Sequence, residues 1–319
     1  EGGDAYQIVN RGGLKIAIVG YMGEGNESDI AEAMIGDYQF ANPIPYIKST
    51  ISDLRVNQGV DVVIVSGHEG NDSNQMLASL EGDERVDAII NAHTHSTYSG
   101  TITRTDGIKI PYVQAGSAGE KFGLIKLSID QDTKQVTGGT AEVKYNLSKT
   151  EDSTIKTIVS NLKEETLPVF GRVIGIANEY VDRYGAADWA ATALKEYATT
   201  DIAVINIGGI RAQAFPIEQG TNITVSKIYE IMPFDNVLKT VDLKGLDVRI
   251  LVNKSDFVMS SNVYQDRATG LIYINGEVLD NDKMYSVATI DYIFDKPENP
   301  FLGGENISNT GILFRDILI

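Results

Sequence analysis

The chain has 319 residues, enough for two domains with a core in each, and its 44 acidic against 27 basic residues give a net charge of −17. That balance argues against DNA or RNA as the main partner, since affinity for a polyanion rests on neutralised phosphates; a small phosphate ester stays open, because a metal ion and one or two arginines invert the local field. A hydrophobic share of 42% is ordinary, no stretch is long and apolar enough to span a bilayer, and zero cysteines exclude disulfides and thiolate chemistry.

In chain order, residues 14–20 read as a strand. Apolar residues at helical spacing (Ile44, Ile47, Ile51, Leu54) predict a helix over 44–57, leading into a strand at 60–65. A helix over 74–80 and a strand over 86–90 follow, then strands at 111–114, 122–129 and 139–145. Strand–helix alternation followed by consecutive strands predicts a layered α/β domain with a mixed sheet. At Ser148-Lys149-Thr150-Glu151 a capping box opens a helix with apolar residues at 155, 158, 159 and 162, and Pro168 is expected to close it. This helix, 148–168, divides the chain into domains at 1–147 and 169–319. The second half mixes helices at 186–197, from 224 and at 246–252 with strands at 201–206, 237–243, 271–274 and 285–290. Glu1 is not an initiator Met, no signal-peptide pattern follows it, and 314–319 reads as a helix without a cap; these ends predict a piece of a longer polypeptide.

The chain has three histidines, and each directly follows an apolar strand. His68 lies in Gly67-His68-Glu69-Gly70 after 60–65, and Ala92-His93-Thr94-His95 comes after 86–90. Strand ends are where open α/β sheets place their sites. In a strand, positions i and i+2 point the same way, so His-x-His delivers two imidazoles to one point. Imidazole nitrogen suits zinc, manganese, iron or nickel, and Asp72, Glu69 or Asn91 are candidates to add an oxygen. The competing reading is a polar surface loop; the shared strand-end placement of all three favours metal.

Further on, Asn206-Ile207-Gly208-Gly209-Ile210-Arg211 follows the strand at 201–206. Paired glycines admit a ligand close to backbone, and Arg211 offers a fork for a phosphate or for ribose hydroxyls. In Met232-Pro233-Phe234-Asp235-Asn236, a Phe at a strand start is positioned to stack on a nucleobase, although core packing is the commoner role. Tyr292 and Phe294, after the strand at 285–290, are second aromatic candidates.

Taken in this order, the segment 14–20, Gly67-His68-Glu69-Gly70, the Asn91 to His95 segment, 111–117, the Asn206 to Arg211 segment, Pro233-Phe234-Asp235-Asn236 and 241–245 resemble the 5′-nucleotidase family. That group includes bacterial UDP-sugar hydrolases, ecto-5′-nucleotidases and 2′,3′-cyclic-nucleotide phosphodiesterases. The resemblance covers nearly the whole chain. It implies an α/β (α+β) fold: part of a layered α/β/β/α calcineurin-like metallophosphatase sandwich, an interdomain helix, and a separate mixed α/β nucleotide-binding domain.

The resemblance also implies site roles. Two divalent metal ions, zinc, manganese or similar, belong to the complete protein, with His68 and His93 on one and His95 on the other. Asn206 and Arg211 hold the nucleotide, Gly208 and Gly209 give it room, Phe234 stacks on the base, and Asn236 contacts the nucleoside. Tyr292 corresponds to the second aromatic, Arg183 approximates a second phosphate-binding arginine, and Glu305 stands where the family usually has Asp. The family's opening motifs, an Asp-x-His, a bridging Asp and an Asn-His pair, have no counterpart here. The first half of the catalytic domain, with the catalytic residues, is therefore expected upstream; this chain alone is expected to hold little or no metal and to be inactive, with an N-terminal fragment of the same polypeptide as its partner. The small-molecule partner is a nucleotide or nucleoside, with no nucleic-acid polymer and no transmembrane segment, in an extracellular, cell-surface or periplasmic setting. Two readings compete: a non-catalytic nucleoside-binding or surface-interaction module, and a mononuclear hydrolase built on the three histidines alone.

Overall fold

The computed structural model describes residues 4–30, 32–36, 38–148 and 150–319. The chain divides into two compact units, Glu1–Asp29 with Asp37–Thr150, and Ile30–Gly36, which holds the single turn α1 (Glu32–Ile35), with Glu151–Ile319. The described residues form a mixed α/β structure with several sheets and no barrel among them.

In the first unit, β1 (Tyr6–Arg11), β2 (Leu14–Met22), β3 (Val62–His68), β4 (Ala88–Asn91), β5 (Thr97–Thr103) and β6 (Lys109–Ala115) form a sheet in the order β1-β2-β3-β4-β6-β5. Its centre, β2-β3-β4-β6, is parallel, and the two edges are antiparallel. Helix α2 (Ile44–Val56) buries Ile44, Ile47, Ile51 and Leu54 against Ala17, Val19, Val63, Val65 and Ile89, and α3 (Asn74–Ala78) adds Leu77 and Ala78. The periodicities of 3.6 and 2 are what make these two faces meet. The hairpin β7 (Lys121–Ile129) and β8 (Val136–Tyr145) packs against β5 and β6. Helix, sheet and hairpin thus form successive layers.

The second unit opens with α4 (Ser153–Phe170). Its N-cap is Asp152, whose carboxylate accepts from Thr154 N and Ile155 N, so the box expected from Ser148 to Glu151 does not cap it; Lys149 of that box lies outside the described residues. Pro168 does not close the helix either. It sits in the last turn, where its missing N–H forfeits one bond, and Gly171 N still bonds Leu167 O beyond it. The five-stranded sheet has the order β13-β10-β17-β12-β18. Its members are β10 (Ile202–Asn206), β12 (Val237–Lys244), β13 (Phe257–Met259), β17 (Met284–Ile290) and β18 (Glu305–Leu313), with only β10–β17 parallel. The alanine face of α5 (Arg183–Ala198) covers β10, and α7 (Gly245–Val252) covers β12. Around this sheet lie the pair β9 (Val173–Ile176) and β11 (Asn222–Thr224) and the meander β14 (Val263–Gln265), β15 (Ile272–Ile274) and β16 (Glu277–Val278). Short helices α6 (Val225–Ile231), α8 (Asp291–Phe294) and α9 (Phe314–Ile317) follow β11, β17 and β18 directly. No helix among the described residues is long and apolar enough to cross a membrane.

Candidate functional site

All three histidines line one cavity of about 470 Å³ in the first unit, with Ile90, Val113 and Gly116 among its walls. His68 closes β3, and His93 and His95 follow the end of β4. The strand geometry expected for His-x-His is not what places them. Both residues lie in the loop after β4 and take left-handed φ angles of 64° and 56°. That region costs a non-glycine residue about 1–2 kcal/mol, so the surroundings must hold it. Gln114, buried in β6, donates to Thr94 Oγ1 at 2.7 Å, and Ala92 N donates to Glu69 O at 3.1 Å, tying one histidine loop to the other.

His68 Nε2 and His93 Nδ1 stand 3.3 Å apart, with the rings edge-on. Two zinc–nitrogen bonds at a tetrahedral angle separate their nitrogens by about 3.3 Å. The pair therefore fits as two ligands of one ion. The second nitrogen of His93, Nε2, faces Asp29 Oδ2 at 3.3 Å, the carboxylate–imidazole contact that commonly orients a ligating histidine. Asn26 donates to the His68 carbonyl from the same short turn. No group of three His, Asp or Glu side chains among the described residues is placed to hold an ion. These residues thus fit part of a metal centre and do not close one.

Of the candidate oxygens, Asn91 is excluded: it is buried and exchanges both amide hydrogen bonds with Asn74, each 2.9 Å. Glu69 accepts from the Tyr21 hydroxyl at 2.8 Å. Burial first, and then that carboxylate, push the Tyr21 hydroxyl far above its ordinary range, so it stays a donor. Asp72 is exposed and close enough to Tyr98 to add to the upward push that burial gives its hydroxyl.

In the second unit the loop after β10 folds over its own asparagine. A side chain at Gly208 would meet Asn206 Nδ2 at 3.1 Å, and one at Gly209 would meet its Oδ1 at 3.4 Å. Asn206 Oδ1 is buried without a partner among the described residues. Arg183, at the start of α5, clasps this loop: Nε donates to Ile210 O at 2.7 Å and Nη2 to Ile207 O at 2.8 Å. Arg211 N bonds Ile231 O at 2.9 Å, and its guanidinium lies 4.6 Å from the centre of the Phe234 ring. That ring is 41% exposed, as a stacking platform must be.

Asn236 and Tyr292 meet through Asp291. The buried carboxylate accepts from Asn236 Nδ2 at 2.9 Å and from Tyr292 N at 2.8 Å. Tyr292 is half-buried, with Lys296 Nζ 4.2 Å from its ring centre. Phe294 is not a second platform: it is 2% exposed and stacks on Phe301 in the core.

Residues 166–302 match the model of the 5′-nucleotidase C-terminal domain. Endonuclease YhcR of Bacillus subtilis (strain 168) is 27% identical over 292 residues, covering 83% of this chain and 23% of that protein. The apyrase of Tabanus yao is 29% identical over 275 residues, 75% of this chain and 48% of the apyrase. The crystal structure of a 5′-nucleotidase precursor from Thermus thermophilus has the same fold, with a TM-score of 0.70 at 21% identity over 98% of this chain and 71% of that one.

Residues 166–302 form a 5′-nucleotidase C-terminal domain, and the chain as a whole is similar to 5′-nucleotidases. It spans less than half the length of the two curated relatives named above. Sequence reasoning missed Asp291, Gln114 and Asp29. Asp291 carried a faint signal, an acid directly after the apolar run of β17. Gln114 lay inside the segment 111–117 but was given no role, and Asp29 carried no signal, because their partners lie far along the chain.

Proposed function

We propose that the complete polypeptide hydrolyses nucleotide phosphoesters, with this chain supplying the nucleoside-binding unit and part of a two-metal centre. The observation that carries this reading is that every histidine of the chain lines one cavity, two of them at the spacing of ligands on a single ion. His68 and His93 hold one ion and His95 a second, and the remaining ligands come from sequence outside these 319 residues. Such ions supply positive charge against the phosphoryl oxygens and acidify water for in-line attack. Asp29 keeps a proton on His93 Nε2, leaving Nδ1 as the ligating nitrogen. In the second unit Arg211 and the Asn206 loop bind ribose or phosphate, Phe234 and Tyr292 take the base, and Asn236 contacts the nucleoside. With its Nδ2 given to Asp291, Asn236 offers its carbonyl oxygen as an acceptor. The setting is extracytoplasmic, as the family resemblance implies.

One named relative is an endonuclease. A polynucleotide is therefore the competing substrate, and the charge of −17 weighs against it. A non-catalytic nucleoside-binding module is the second reading, favoured by the absence of a three-donor group among the described residues.

Calorimetry with adenosine and AMP, zinc analysis, and hydrolysis assays with manganese on AMP, a 2′,3′-cyclic nucleotide, a UDP-sugar and an oligonucleotide test this. The chain alone is expected to bind nucleoside and to turn over none of them. Phe234→Ala is expected to weaken nucleoside binding by about 1–3 kcal/mol. Such zinc as the incomplete site binds is expected to be held at least about tenfold more weakly in His68→Ala, as loss of a ligand or its support does. Nucleoside affinity untouched by Phe234→Ala, or turnover by the chain alone, would overturn the assignment.

A further inference from the structure

The loop Met232 to Asn236 carries the exposed Phe234 and lies between α6 and β12. Met232 is anchored in the core, but Pro233, Phe234 and Asp235 are exposed, so the shape of that stretch has to be held from behind, through its backbone. Arg315, on the single turn α9, does this from a position 5% exposed. Its Nη1 donates to Met232 O at 3.4 Å and to Phe234 O at 3.3 Å, and Nη2 pairs with the Asp235 carboxylate. These are the hydrogen bonds the two carbonyls make among the described residues. The guanidinium lies 3.9 Å from the centre of the Tyr229 ring, and Tyr229 meets Phe170 edge-on at 4.9 Å. One planar fork therefore holds three of four successive loop residues while its face rests on an aromatic wall. Beside it, Phe314 N donates to Asn236 O at 2.8 Å, fixing the loop's far end.

From this geometry we infer that Arg315 is a positioning residue for nucleoside recognition: it holds the Met232 to Asn236 backbone in the one shape that presents the Phe234 ring to a base. The inference rests on the reading of Phe234 as a base platform. Only a guanidinium serves here. A lysine keeps the charge for Asp235 but is a point donor, unable to reach both carbonyls while lying flat on Tyr229. Burying an arginine is costly, and its Nε is buried with no partner among the described residues.

The test is amide hydrogen exchange on the full chain, wild type against Arg315→Lys and Asp235→Asn, with thermal unfolding and adenosine calorimetry alongside. In Arg315→Lys, amides of the 232–236 loop are expected to exchange about tenfold faster, the effect of losing roughly one net hydrogen bond locally, while those of β10 and β17 stay unchanged. Adenosine affinity is expected to fall about fivefold or more, as the platform-competent fraction falls. Asp235→Asn, which keeps both carbonyl bonds, is expected to match wild type within about twofold in loop exchange. Loop exchange unchanged in Arg315→Lys would overturn the inference, and so would a rise shared equally by β10 and β17, which would make Arg315 a general stabiliser. If wild type binds no adenosine the base-platform reading fails, and with it the recognition role, whereas normal adenosine binding by Arg315→Lys with a loosened loop sinks the positioning role alone.

Discussion

Arg55 and Asp87 lie 2.7 Å apart in the first unit with side chains 3% and 1% exposed. Arg55 also donates to Asp61 O at 3.1 Å and Arg85 O at 2.9 Å, and Asp87 accepts from Val63 N at 2.8 Å. Removing one partner of such a pair strands a buried charge, so Asp87→Asn is expected to cost about 3–5 kcal/mol, read as a lowered urea midpoint. Asp106 shows the exposed counterpart. Hydrogen bonds from the buried Arg104 hold its carboxyl below the usual carboxylate range. Because the folded pKa is depressed, the stability it contributes is present above the unfolded value of about 3.9 and is lost as pH falls through the folded one. Asp106→Asn is therefore expected to lower the melting temperature at neutral pH and to have no effect once pH lies below both values. A loss that persisted undiminished in acid would show that the Arg104 contact is not its source.

Elements in this fold depend on close approaches as much as on propensity. Gly245 begins α7, where a side chain would stand 2.0 Å from Asp280 O and 3.1 Å from Asn281 Cα, both backbone atoms that cannot swing aside. Gly245→Ala is expected to cost about 1–3 kcal/mol in chemical unfolding, the usual toll of overpacking, and a neutral result would mean the turn at 280–281 yields freely. The same dependence on neighbours explains which elements can be read in advance. Strands β2, β3, β4 and β17 are apolar runs and are legible, β17 because it is buried over most of its length and β2 because it alternates. β18 is not: seven of its nine residues are exposed, its sequence is polar, and it is a strand because β12 offers an unpaired edge. In α4 the apolar stripe at 155, 158, 159 and 162 is legible, yet all four residues are exposed.

At the scale of the molecule, the two units have separate apolar cores, one built on α2 and the parallel sheet, the other on α5, α7 and the mixed sheet. A polypeptide of residues 151–319 is accordingly expected to unfold cooperatively by itself and to retain the adenosine affinity of the full chain; a non-cooperative melt would show that its core is not self-sufficient. What the sequence determined alone was local: the apolar periods that make strands and helices, the placement of all three histidines after strands, and the ordered motifs that resemble those of 5′-nucleotidases. The tertiary structure decided everything that depends on partners remote in the chain. It set the left-handed turns at His93 and His95, withdrew Asn91 by pairing it with Asn74, made Arg183 a clasp on the glycine loop, and brought Arg315 behind a loop some 80 positions earlier. Periodicity reports which face of a segment avoids water; which polar atom meets which is settled only when separate segments pack.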